Sequence, residues 1–586
     1  MNIFSDIFRI RENSGHDKVL PLSEAIARCV KPGMTLHFNI GADANAALRE
    51  IIRQFYRKKP KFTLISSGVT TPDLISLITV GLVKKVITTN CSYTYPAPRP
   101  IPLLQKMYQE GLLEIESWSL YSLELRLMAA AMGVGFMPTK SLMGSSLADE
   151  NADTFKVITN PFDEKSRIGI VKSFVPDVSI IHGCVADKDG NTILSPPYFA
   201  SIWGPRASRG GVIVTVEKIV STEFIRKHSP LVKIPGYLVR FVCPVAFGAH
   251  PQGLAANSIG VVDGYGEDYE FILSFLNVSQ NQILLKEWIE EWVMRCPTQE
   301  DYLNKLGSER IRFLKEKSSV GREDVEPLWP EHRATVHPTF NSTEMMIVAA
   351  AREIKEIVSQ RDYKTILSGI GSPGLAAWLA FYLMKEDGIT VDLITGAGQI
   401  GFEPRPGDPF LITLSNVMTS KMLTDTVEVY STFVGGANNS CLSVLGTIQI
   451  DQYGNMNTVK MGSLYLIGVG GAGDALNSQE TLVVTKQSRE RFVKKIPFIS
   501  GSGEKVKTLV TNLGVFQKIE GEEVFTITKY FTNPSLQGKE DRVREIKERC
   551  GWSVKVGGVL KEVPPPTSEE LAILRSLDPN GLFIGK

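Results

Sequence analysis

GTIQIDQYGNMNTVKMGSLYLIGVGGAGD, residues 446–474, carries two signals that recur elsewhere in the chain. An apolar run rich in β-branched residues ends at Asp451-Gln-Tyr-Gly-Asn455, a tight polar turn. After one more short strand comes Gly468-Val-Gly-Gly-Ala-Gly473, where small residues let a ligand lie against bare backbone amides. The turn is echoed by Asp187-Lys-Asp-Gly-Asn191. Thr35–Gly41 is echoed by Thr365–Gly371, Leu64–Gly68 by Leu393–Gly396, and Val212–Thr215 by Leu482–Thr485. Four pairs in one order predict an α/β fold class: two homologous, open, doubly wound domains packed around a cleft.

Strand–helix alternation supports that expectation. Met34–Asn39, Lys61–Ser66, Pro176–His182 and Val212–Val216 read as strands. Ala44–Tyr56, Leu103–Glu110 and Leu120–Met132 carry helical spacing. Residues 318–341, with three prolines among charges and histidines, read as a linker between a 1–317 domain and a 342–586 domain. At 586 residues the chain exceeds what one core supports. A formal net charge of +1 and 22% charged residues give no electrostatic ground for nucleic acid or an anionic membrane as partner. The seven cysteines are dispersed without a CxxC pair, which predicts reduced thiols in a cytoplasmic protein and no metal site. The N-terminus lacks the apolar core of a signal peptide, and no apolar run is long enough to span a bilayer.

Longer strings carry a family resemblance. Met143–Asp149, Asn160-Pro-Phe162, Asp177–His182, Ile234-Pro-Gly236, Gly248–Pro251 and Asp301–Gly307 resemble the α subunit of the family I coenzyme A transferases, glutaconate CoA-transferase type. Gln449–Asn457, Gly468–Gly473 and Leu577-Asp-Pro579 resemble its β subunit. The resemblance implies a fusion of both subunits acting on acyl-CoA thioesters, with coenzyme A as part of the substrate and no permanently bound cofactor. It also implies further assembly, for which a homodimer is the expectation.

In that family a β-subunit glutamate at the end of the second strand carries the acyl group and then CoA. Here that strand reads Val391-Asp-Leu-Ile394-Thr-Gly396-Ala-Gly398, so Ile394 stands at the nucleophile position. Ile394 forms no glutamyl-CoA thioester. Hydrolytic or lyase chemistry (C–C cleavage or decarboxylation) is therefore expected ahead of transfer, as in relatives that lack the glutamate and use an α-subunit glutamate as base. Glu124, bordering the apolar stripe Leu120, Leu123, Leu127 and Ala131, is the candidate for that base. Transfer through another carboxylate such as Glu403, and CoA-ester binding without catalysis, are the alternatives. Gly369, Gly371 and Ser372 read as an oxyanion hole or a plain tight turn. Gly396 closes the nucleophile strand, and the resemblance places Gly470, Gly471 and Ala472 beside the acyl-CoA. It also places His37 and Asn39 in the acyl region, where a structural role for His37 is the competing expectation. The aromatic and proline-rich Asn90–Pro100 suits a rigid loop over an aromatic or alicyclic acyl pocket.

Overall fold

The computed structural model describes residues 7–256, 259–319, 337, 339–532 and 538–585. The first sheet is built on β1 (Thr35–Phe38), β2 (Phe62–Ser66), β3 (Val83–Thr88), β4 (Glu114–Ser117), β5 (Val178–Asp187), β6 (Val212–Val220) and β7 (Val239–Pro244). These lie parallel in the order β4-β3-β2-β1-β5-β6-β7. The second sheet is built on β8 (Thr365–Ser368), β9 (Asp392–Ile394), β10 (Gln399–Phe402), β11 (Cys441–Leu445), β12 (Glu480–Val484) and β13 (Val506–Val510). Its order is β10-β9-β8-β11-β12-β13, parallel except for the β9/β10 pair.

Each sheet reverses its winding beside its first strand, with β1 between β2 and β5 and β8 between β9 and β11. Such a reversal opens a crevice at the carboxyl ends of the strands. The sequence echoes fall on matching strands: β1 with β8, β2 with β9, and β6 with β12. Strands β5 and β11 both lead toward the repeated polar turn. The larger part of the expected linker lies outside the described residues; helices end at Ser319 and begin again at Ser342 on either side of it.

The two polar turns are built alike. Asp187 Oδ1 accepts the Asn191 amide at 2.9 Å, and Asp451 Oδ1 accepts the Asn455 amide at 3.1 Å. Each asparagine then accepts a distant glycine amide at 2.9 Å, Gly236 in the first half and Gly503 in the second. A lysine closes each turn on two carbonyls: Lys18 on Asp189 and Gly236, Lys518 on Tyr453 and Gly503. Gly190 and Gly454 have φ of +99° and +81°, a region where a side chain would strain the backbone.

Helix α1 (Leu120–Ala131) departs from its expected amphipathic form. Ser119 and Ser122 cap its start reciprocally, and Glu124 and Arg126 are as buried as Leu123 and Leu127. Elements of both halves, Trp203–Ala207 and Thr426–Glu428 among them, cover the face that the sequence pattern leaves for solvent. Arg126 is satisfied within the first half by Glu116 at 3.0 Å and by the Trp118 ring 4.3 Å away.

Candidate active site

A cavity of about 520 Å³ lies where the two crevices meet. The first half lines it with Ile40–Asp43 after β1, Ser67 after β2, and Thr89 after β3. The second half contributes Leu367–Ile370, Thr395–Ala397, Leu445–Ile448 and Gly468–Ala472.

The glycine loop is first a seam between the halves. Cys91 donates to the Ile467 carbonyl at 2.9 Å, Gly470 donates to Thr89 at 3.1 Å, and Leu120 donates to Gly470 at 2.9 Å. Asp474 is buried and accepts Ser119 Oγ at 2.6 Å and the Tyr121 amide at 2.9 Å, tying the loop to the start of α1. Burial raises its carboxyl to about 6. A Cβ on Gly468 would lie 2.3 Å from the Thr89 carbonyl, so only glycine permits this approach. Gly470 meets nothing within 4 Å, while Gly471 is packed against Tyr430.

At the position that the resemblance gives to the family nucleophile, the structure holds an apolar core residue. Ile394 is 0% exposed and packs in one cluster with Leu120, Leu367 and Tyr430. Thr395 lines the cavity, but its hydroxyl donates to Gln399 Oε1 at 3.1 Å. Asp392 pairs with Lys421 at 2.6 Å and Glu403 with Lys385 at 2.8 Å. Neither lines the cavity, and the Glu403 side chain is 46% exposed.

The first half supplies the acid. Glu124 is 1% exposed, and Ser67 Oγ, on the cavity wall, donates to its Oε1 at 3.0 Å. Oε2 is buried without a partner. Burial, with a smaller contribution from Asp425, pushes its carboxyl up to about 8; the Ser67 bond opposes this. Glu124 itself stands behind the lining; the carboxylates that line the cavity are Asp43 and Glu267. Burial raises Asp43 well above the usual range and Glu267 to about 7. Asp43 stands in the loop after β1 at the winding reversal, a place that marks ligand sites in such sheets. Glu267 carried no signal in sequence.

The oxyanion donors differ from those expected. The Gly369 amide is spent on Val444 at 2.9 Å and that of Gly470 on Thr89. Gly371 and Ser372 start the next helix outside the cavity lining, with Gly371 facing Phe583. What faces the cavity is the Tyr430 hydroxyl, held between Gly396 and Gly471, where a Cβ would come within 2.3 and 1.9 Å of it. Burial keeps that phenol protonated. Ser368 Oγ also lines the cavity and has no partner. His37 and Asn39 are not among the lining residues. His37 Nδ1 bonds Ser179 Oγ at 2.7 Å, its ring lies against Gly204, and burial lowers its pKa to about 3. Asn39 braces the loop by donating to Ala42 at 2.8 Å. His37, within β1, and Asn39, just past its end, thus bond to neighbouring elements and stand outside the cavity lining. Among the described residues no group of three His, Cys, Asp or Glu could hold a metal ion, and no helix is long and apolar enough to cross a membrane.

Paired, doubly wound sheets with a small-residue cradle at their shared crevice define an α/β protein with a cavity between two related halves. A family model described as Coenzyme A transferase matches residues 19–243. One of the two subunits of glutaconate CoA-transferase from Acidaminococcus fermentans is 31% identical over 324 residues, covering 52% of this chain and 96% of its own length. The chain belongs to the coenzyme A transferase family. The cholesterol ring-cleaving hydrolase IpdA subunit of Rhodococcus jostii is 25% identical over 300 residues, covering 47% of this chain and 99% of its own length. Among solved structures, an acyl-CoA transferase of E. coli O157:H7 in a thioester complex with CoA superposes with a TM-score of 0.65 at 16% identity. That likeness concerns the fold, and it spans 96% of this chain and 97% of the other. Relatives of single-subunit length occupy about half of this chain, so the folds of two subunits are joined in one polypeptide.

Proposed function

We propose that this enzyme binds an acyl-CoA between halves 1–317 and 342–586, joined by 318–341, and converts it by hydrolysis or lyase chemistry. The observation that carries this is the exchange of roles between the two walls. On the wall that the resemblance assigns to a glutamate nucleophile, Ile394 is buried beneath the lining residue Thr395, and on the opposite wall the lining residue Ser67 is backed by the buried acid Glu124. Glu124, ionised above about pH 8, accepts a proton through Ser67, while Tyr430, beside Gly396 and Gly471 on the cavity lining, donates to the thioester oxygen. The IpdA relative, whose name describes a hydrolase, supports chemistry other than transfer. Arg491, which lines the cavity among exposed Lys486, Arg489, Lys494 and Lys495, suits the phosphates of CoA. CoA enters only as substrate, with no resident cofactor, and a cytoplasmic homodimer is the proposed state.

Transfer through Asp43 or Glu267 is the second reading, because both carboxylates line the cavity. Turnover of an acyl-CoA panel with and without added carboxylic acids separates the two. Product formed without an acceptor supports hydrolysis or cleavage, whereas an absolute need for an acceptor overturns it. Binding of CoA with no conversion across the panel identifies a non-catalytic binder.

A further inference from the structure

We propose that the acyl group taken by this cavity is neutral and carries a ring, seated on a wall built from Tyr95, Tyr269 and Phe410. The proposal rests on the CoA-ester reading above and adds the class of acyl group. All three residues line the cavity and are half-buried. Tyr95 and Tyr269 stack with centroids 3.9 Å apart and planes 8° from parallel, and Phe410 meets Tyr95 edge-on at 5.8 Å. Outside contacts hold this wall in place. The Tyr269 hydroxyl donates to Asp408 at 2.7 Å, and the Lys317 ammonium lies 4.1 Å from the Tyr269 ring centroid. Phe275, Ile272 and Leu276 extend the apolar surface. A pre-ordered aromatic wall favours rings through area burial and edge-to-face contact, with little ordering cost on binding.

The charges around it exclude an anionic acyl tail. Among the described lining residues the acids are Asp43 and Glu267, and the only cation is Arg491, which is exposed. A carboxylate-tailed acyl group would lose its hydration without gaining a buried cation. Burial raises the carboxyls of Asp43 and Glu267, which favours the neutral form able to donate to a neutral oxygen on the ring.

Titration calorimetry with non-hydrolysable CoA thioethers bearing cyclohexyl, methyl or 4-carboxybutyl ends tests this. The cyclohexyl thioether is expected to bind about tenfold or more tightly than the 4-carboxybutyl one, as loss of an apolar contact and burial of an unpaired charge both require. Phe410→Ala and Tyr95→Leu are expected to weaken the cyclohexyl thioether more than the methyl one. Equal or tighter binding of the 4-carboxybutyl thioether overturns the proposal while leaving the CoA-ester reading intact. Failure of every thioether and of CoA itself to bind overturns that reading, and this proposal with it. If the variants do not fold, the comparison on the unaltered enzyme still decides.

Discussion

The ends of β2 and β9 occupy the same place in the two halves and have opposite chemistry. After β2, Ser67 faces the cavity and donates to Glu124, a buried acid. After β9, the Thr395 hydroxyl is turned to Gln399, and Ile394 fills the core beneath it. Yet the two Asp-x-x-Gly-Asn turns keep the same hydrogen bonds, down to the lysine that closes each. The halves thus retain a common brace and have diverged at the strand tips. One tip carries the hydroxyl bonded to a buried acid, to which the proposed function gives the proton transfer, and the other offers a cradle of small residues.

The strongest way to break this contrast is Glu124→Gln, which removes the one titrating group behind Ser67. Turnover is expected to fall by about 10²–10⁴-fold, measured as initial rate on a converted acyl-CoA. Because the folded carboxyl is raised to about 8, ionising Glu124 costs stability as pH rises from its unfolded value through about 8. The Gln variant should therefore match the parent's thermal midpoint at low pH and exceed it at pH 9. The parent's rate should climb with pH through about 8.

Ile394→Glu asks whether the second-half tip accepts the acid that it lacks. In that apolar cluster a buried carboxylate should cost about 3–5 kcal/mol in denaturant unfolding and create no transferase. Tyr430→Phe removes a hydroxyl while keeping the ring that packs on Gly396 and Gly471. A fall in kcat of about 10²–10³-fold with KM little changed is expected if it donates only to developing charge. The smallest effects test the shared brace. Asn191→Ala and Asn455→Ala should each cost about 1 kcal/mol, and the two costs should be similar because their bonds match.

The duplication was legible because Gly190 and Gly454 require glycine and each aspartate and asparagine has one geometric use, so the turns repeat as strings. Strand and helix placement was legible from periodicity around β1, β2, β8 and β9. Glu124 was legible as a candidate but its burial was not, since the elements packed on its helix, Trp203–Ala207 and Thr426–Glu428 among them, stand far away in sequence. The same distance hid the seam. Gly468 and Asp474 serve contact with Thr89 and Ser119 as much as any ligand, a role that only the docked halves reveal. Tyr430 had no signal, because a lone tyrosine in a helical segment gives no spacing to read. His37 and Asn39 were placed by their nearness to the loop, and both bond to neighbouring elements outside the cavity lining.

The proposed hydrolysis or cleavage proceeds without a glutamyl-CoA intermediate. Incubation with a converted acyl-CoA, borohydride reduction and mass analysis of peptides should leave every carboxylate unmodified, Asp43, Glu267 and Glu403 included, while turnover in untreated enzyme proceeds. A reduced glutamate or aspartate formed only in the presence of acyl-CoA would contradict it.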